Sequence, residues 1–146
     1  MIKSTFELEK KLLDEGYQLI IGIDEAGRGP LAGPVVACAV AHRNLQLATS
    51  SLENKKYPDY ELLITNYKLV RDSKMLSEKQ RENIFDFIQE NFFVGIGMCN
   101  HETIDRMNIL EASFLAMKKA VSSLMRAMAN NQETNSNFQN TKYIIL

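Results

Sequence analysis

Two apolar runs, separated by a stretch that can be neither helix nor strand, set the architecture of this chain. Residues 19–23 (Leu-Ile-Ile-Gly-Ile) have the branched, apolar make-up of a buried strand, and they end on Asp24 and Glu25. Ala26-Gly27-Arg28-Gly29-Pro30 follows, where two glycines and a proline break any regular element. Residues 35–40 then read as a second buried strand. The chain therefore makes a strand, an irregular connection and another strand, and it leaves two carboxylates where the first strand meets the turn.

Helical signals surround these strands. Ser4 or Thr5 caps a short helix carrying Phe6, Leu8, Leu12 and Leu13, which stops at Gly16. Ser77-Glu78-Lys79-Gln80 matches a capping box and opens a helix with Ile84, Phe85, Phe87 and Ile88 on its apolar face. Residues 92–98 form a third strand, rich in aromatic and branched side chains. The span 103–128 is the most regular. Leu110, Phe114, Met117, Val121, Leu124 and Met128 recur at steps of four and three, which predicts a helix with this stripe against the core. Residues 43–68 lack a clean period and are expected to be loop, as is the polar stretch 130–141. Residues 143–146 (Tyr-Ile-Ile-Leu) return to a strand. Strands mixed with long helices predict an α/β domain with a central sheet, residues 1–146 forming one unit.

Bulk properties exclude several classes. With 45% hydrophobic and 24% charged residues the chain has the composition of a folded globular protein. Its longest apolar run, residues 31–41, is interrupted by Pro34 and too short to span a bilayer. The N-terminus lacks the apolar stretch of a secretory signal, so the expected compartment is the cytoplasm. Cys38 and Cys99 lie far apart, outside any CxxC spacing, and read as reduced core thiols. The formal net charge is -1, so a grip on a polyanion needs a local basic patch.

The chemistry concentrates at the first turn. Carboxylates such as Asp24 and Glu25, beside a backbone that can approach a ligand, suit Mg²⁺ or Mn²⁺, which take oxygen ligands. Neighbouring residues on a regular strand point to opposite faces, so both reach one cation only if the chain bends there, as Gly27 and Gly29 allow. Arg28 supplies a fork of donors suited to phosphate, and the flanking glycines let backbone groups reach a ribose 2′-hydroxyl. Alone, an Asp-Glu pair reads as solvated turn carboxylates and a Gly-Arg-Gly turn as an exposed loop.

The context is more specific. Gly22-Ile23-Asp24-Glu25-Ala26-Gly27-Arg28-Gly29-Pro30-Leu31-Ala32-Gly33-Pro34-Val35-Val36-Ala37 resembles the hallmark segment of ribonuclease HII. Asp72-Ser73-Lys74-Met75-Leu76-Ser77 is similar to a second family block, and Ile104-Asp105-Arg106-Met107-Asn108-Ile109-Leu110-Glu111-Ala112-Ser113 to a third. The resemblance covers most of residues 6–128 and implies the ribonuclease H-like fold, a central mixed sheet flanked by helices. It makes Asp24 and Glu25 the first two of four active-site carboxylates and ligands of Mg²⁺ or Mn²⁺. It makes Gly27, Arg28 and Gly29 the reader of the ribonucleotide 2′-hydroxyl, and Ser73 and Lys74 contacts to the nucleic-acid backbone. The implied reaction is metal-assisted hydrolysis of the RNA strand of RNA/DNA hybrids. The cut falls 5′ to ribonucleotides embedded in DNA and leaves 5′-phosphate and 3′-hydroxyl ends. A monomer with no membrane partner is expected.

The chain departs from the family pattern in four places. The loop before Asp72 is longer, Met75 stands where the family has a second lysine, and the polar stretch before Tyr143 reads as an insertion. In the family, the strand matching residues 143–146 leads into an Asp-Gly segment with the third carboxylate; the fourth, and a stacking tyrosine, lie further on. A C-terminally truncated domain is therefore expected, lacking two ligands. The alternatives are a catalytically inactive hybrid-binding module and an unstable remnant.

Overall fold

Alternate residues of the three long strands point into one layer, and the core forms there. The computed structural model describes residues 7–29, 32–43, 70, 72–131 and 142–146. In chain order its elements are α1 (Glu7–Asp14), β1 (Leu19–Ala26), β2 (Val35–His42), a 3₁₀ turn (Ser73–Met75), α2 (Glu78–Asn91), β3 (Phe92–Cys99), α3 (His101–Met107), α4 (Ile109–Ala129) and β4 (Tyr143–Ile145). The strands form one four-stranded sheet in the order β3-β2-β1-β4. β2 runs antiparallel to both β1 and β3, and β4 runs parallel to β1, so the sheet is mixed as expected. The expected cap at Ser4 or Thr5 and nearly all of the expected loops at 43–68 and 130–141 lie outside the described residues.

Leu19 and Ile21 of β1, Val35, Ala37, Ala39 and Ala41 of β2, and Phe93 and Cys99 of β3 are buried in one cluster with α4. The helical stripe that meets them differs from the expected one. Ala112, Ala116, Ala120, Leu124 and Met128 are buried at every fourth position, whereas Leu110 and Phe114 are exposed and Met117 and Val121 only partly buried. The cause lies in the sheet. A Cβ on Gly97 would sit 2.5 Å from the Ala120 nitrogen and closer still to the Ala116 carbonyl, and one on Gly95 2.7 Å from the Leu124 Cα. The helix backbone rests on bare strand backbone, so small side chains are needed at Ala116 and Ala120; Leu124 and Met128 of the expected stripe are buried, Met117 and Val121 pack against the core, and Leu110 and Phe114 turn outward.

The single helix expected over 103–128 is two. Asn108 takes φ 73° between them, and its side-chain oxygen accepts the Leu110 and Glu111 N–H groups at 3.0 and 3.1 Å, capping α4. Its own N–H donates to Ile104 O at 2.8 Å and closes α3. The signal was in the sequence: Asn108 followed three residues later by Glu111 is an N-terminus pattern. The capping box at α2 forms as expected, with Gln80 N–H donating to Ser77 Oγ at 3.3 Å and Ser77 N–H to Gln80 Oε1 at 2.8 Å. On α2, however, only Ile84 is buried and Phe85 is exposed. Among the described residues, no helix is long and apolar enough to cross a membrane.

Candidate active site at the end of the first strand

β1 runs through both carboxylates. Its ladder with β2 continues without a bulge from Ile21 opposite Ala41 to Asp24 opposite Cys38, Glu25 opposite Ala37 and Ala26 opposite Val36. The bend expected at Asp24 and Glu25 comes later, at Gly27, where φ is +98° and a Cβ would collide with the Pro34 carbonyl and lie 3.2 Å from the Val35 Cα. The expected convergence on one face is therefore absent, because a regular strand sends neighbours to opposite sides. Glu25 issues on the face of Ile21 and Ile23, toward α4; Asp24 issues with Ile20 and Gly22 on the other and is exposed.

Both carboxylates lie just past the stretch of β1 that pairs with residues 143–146. β4 pairs with β1 from Leu19 to Ile21; Leu146 N–H then donates to Ile21 O at 2.9 Å, and Ile23 N–H to Leu146 O at 3.1 Å. The next amide on that edge, Glu25 N–H, donates at 2.8 Å to Asp24 Oδ1. Asp24 thus satisfies this donor with its own side chain, as backbone N–H groups require a partner.

Arg28 folds back from the turn, and its Nη1 lies 2.9 Å from Glu25 Oε1. The Glu25 side chain is 14% exposed and that of Arg28 50%, so the guanidinium covers a carboxylate otherwise half withdrawn into the protein. Sequence reasoning gave Arg28 to phosphate and Glu25 to a cation, and missed that each has the charge to satisfy the other. Gly29 has nothing within 4 Å of a Cβ position, which leaves its backbone open to a ligand. Opposite Asp24 in the ladder, burial pushes the Cys38 thiol up and keeps it protonated.

Ser73 and Lys74 lie in the 3₁₀ turn before α2. Asp72 Oδ1 accepts Lys74 N–H at 3.0 Å, and Arg81 Nη1 donates to Leu76 O at 2.6 Å and Ser73 O at 3.3 Å. Arg81, a positioning residue that the sequence reading passed over, clamps this turn onto α2. Neither Ser73 nor Lys74 bonds to Asp24, Glu25 or the turn at Gly27 and Arg28 among the described residues. The donor set at the end of β1 suits a hard divalent cation in kind, being carboxylate oxygen, but not in number. Among the described residues no group of three His, Cys, Asp or Glu side chains could hold a metal ion.

Comparison with known proteins places these features in a family. The family model described as Ribonuclease HII matches residues 21–140. The ribonuclease HII of Caldicellulosiruptor saccharolyticus is 45% identical over 123 residues, 84% of this chain and 51% of that protein. That of Fusobacterium nucleatum subsp. nucleatum is 43% identical over 122 residues, covering 84% and 48%, and that of Acholeplasma laidlawii 44% over 125 residues, covering 85% and 52%. The chain spans about half the length of these relatives. Among solved structures, a point mutant of Bst-RNase HIII aligns with TM-score 0.56 at 18% identity, covering 89% of this chain and 46% of that one. Aquifex aeolicus RNase H3 aligns with TM-score 0.51 at 16% identity, covering 100% and 56%. At such identities the structures speak for the fold alone, the α/β ribonuclease H-like fold.

Proposed function

The chain belongs to the ribonuclease HII family, and from that premise we propose that it carries the Asp24–Glu25 half of the carboxylate set of a metal-dependent endonuclease. The substrates are RNA/DNA hybrids and DNA containing ribonucleotides, cut 5′ to the ribonucleotide to leave 5′-phosphate and 3′-hydroxyl ends. The observation that carries the reading is the clustering of Asp24, Glu25, Gly27 and Arg28 at the C-terminal end of one strand.

Asp24 and Glu25 leave opposite faces of β1, so they would hold Mg²⁺ or Mn²⁺ together only once the strand end turned them to one side; the ion, when bound, would activate a water and stabilise the leaving 3′-oxygen. Gly27, Arg28 and Gly29 read the 2′-hydroxyl, Gly29 through its open backbone. For Arg28 to reach the sugar-phosphate it must leave Glu25, and a cation at Glu25 is what replaces its charge. Ser73 and Lys74 hold the backbone near the cut, on the turn that Arg81 clamps. The remaining carboxylates belong to the half of the relatives' length that this chain does not span. A strand continuing β4 by two residues in its present register takes the Glu25 N–H and frees the Asp24 carboxylate for metal.

The test is incubation of the purified chain with a duplex containing one ribonucleotide, in Mg²⁺ and then Mn²⁺. With two of four carboxylates, the chain cuts at least about a hundredfold more slowly than a full-length relative, since small misplacements cost that much. It still binds the ribonucleotide duplex in preference to all-DNA duplex. Robust cutting that depends on Asp24 contradicts the incomplete ligand set; equal binding to the two duplexes contradicts the substrate reading.

A further inference from the structure

We infer that the groove between α4 and the free edge of β3 is a second, phosphodiester-binding site, which holds the backbone of a nucleic-acid duplex away from Asp24. The choice of duplex rests on the function proposed above; the anion-binding chemistry does not.

The groove encloses about 440 Å³ and is lined by Lys118, Lys119, Ser122 and Arg126 of α4 and by Ile96 and Met98 of β3, with Gly97 between them. Among the described residues no carboxylate lines it, in a chain whose net charge is -1. The charged residues of α4 are Glu111, in its first turn, and then these three cations. An ordinary solvated helix face interleaves both signs, so this segregation points to an anionic ligand.

The three cations are not equivalent. Lys119 Nζ donates to Met98 O at 2.9 Å and lies 3.6 Å from Cys99 Sγ, which occupies it in covering the exposed strand edge. Lys118 and Arg126 are exposed and, among the described residues, in no ion pair. They sit eight residues apart with Ser122 between, about 12 Å along the axis, the span of roughly three to four phosphates of one strand. Between them the Gly97 backbone rests against α4, while the exposed Ile96 and Met98 side chains leave the other face of β3.

The register puts the exposed side chains of β3 on the face of the candidate active site, away from α4. Ile96 pairs with Cys38, and Cys38 with Asp24, so the three side chains stand in one row on one face of the sheet. Two strand spacings, about 10 Å, separate Asp24 from the β3 edge, and a duplex carries a charge every ~1.7 Å of its axis. A duplex that meets Lys118 and Arg126 therefore does so across the β3 edge and not along the Asp24 row.

The experiment measures binding of this chain to a short DNA duplex with one central ribonucleotide, and to the same duplex without it, across a salt series. Lys118→Gln/Arg126→Gln should reduce the slope of log affinity against log salt by about 2, at roughly 0.9 per contact, on both duplexes. The charge-keeping swap Lys118→Arg/Arg126→Lys should retain the slope, and Lys11→Gln/Lys79→Gln, which removes as much charge elsewhere, should leave it unchanged. A reduced slope with the preference for ribonucleotide intact supports both the groove and the proposed function. A reduced slope with no such preference upholds the groove and removes that function. An unchanged slope, an equal fall in the Lys11/Lys79 variant, or no measurable binding by the parent chain overturns the groove.

Discussion

Replacing Gly97 with alanine drives a methyl group into the backbone of α4. The new Cβ would lie 2.5 Å from the Ala120 nitrogen and closer to the Ala116 carbonyl, where ordinary contact begins at 3.4 Å. The atoms it meets are helix backbone, which cannot rotate away as a side chain can, so α4 must retreat by at least about 0.9 Å, from 2.5 toward 3.4 Å. A retreat on that scale loosens the Ala112, Ala116, Ala120, Leu124 and Met128 stripe along the whole core. Overpacking against backbone falls in the upper part of the usual range, about 2–3 kcal/mol, set against less than about 1 kcal/mol gained by stiffening the unfolded chain. At roughly 4 °C per kcal/mol for a domain of this length, Tm should fall by about 4–10 °C. Thermal unfolding followed by circular dichroism reads it directly. Gly29→Ala is the control, since nothing lies within 4 Å of a Cβ there, and its Tm should barely move. A Gly97→Ala protein within about 1 °C of the parent would refute the account of why α4 turns its small residues to the sheet.

Three further outcomes are expected. Asn108→Ala loses the cap on Leu110 and Glu111 and should cost about 1–2 kcal/mol in urea unfolding, whereas Asn108→Gly relieves the positive φ and should be near neutral or stabilising. Burial holds the His42 imidazole below its ordinary 6.5, so its protons bind the unfolded chain first. Stability should therefore be full above that value and fall as pH drops through the window just below it; urea midpoints of His42→Gln against parent, from about pH 7.5 to about pH 5.5, should show the loss only in the parent. In a protein of full family length, Arg28→Ala should weaken cleavage of ribonucleotide-containing duplex more than it weakens binding of all-DNA duplex; parallel losses would mean that Arg28 serves Glu25 alone.

The sequence made some of this legible because the signals are local. The Ser77 and Gln80 capping box and the apolar runs of β1, β2 and β3 each act within a few residues, and each formed as read. What failed depended on distant partners. Leu110 and Phe114 outrank Ala112 and Ala116 in hydrophobicity, but the choice of face was made by Gly95 and Gly97 across the interface. The carboxylates were found as residues, at the end of a strand, but not as geometry. The ladder with Ala37 and Cys38 kept β1 regular, and only Gly27 turned the chain. The pairing of Arg28 with Glu25 was within local reach, three residues apart, yet assigning each an external ligand concealed it. The basic face of α4 was invisible to a net charge of -1 and needed the helix to gather it.

The central claim is that Asp24 and Glu25 belong to a ribonuclease HII active site completed by the part of the relatives' length beyond this chain. Its most direct test is a chimera of this chain with the C-terminal part of the Caldicellulosiruptor saccharolyticus ribonuclease HII, assayed on a duplex with one embedded ribonucleotide. The account expects one cut, on the 5′ side of the ribonucleotide, with 3′-hydroxyl and 5′-phosphate ends. Asp24→Asn or Glu25→Gln should slow it by about a hundredfold or more. Cutting that survives Asp24→Asn, or no cutting by a chimera shown to fold and to bind the duplex, would contradict it.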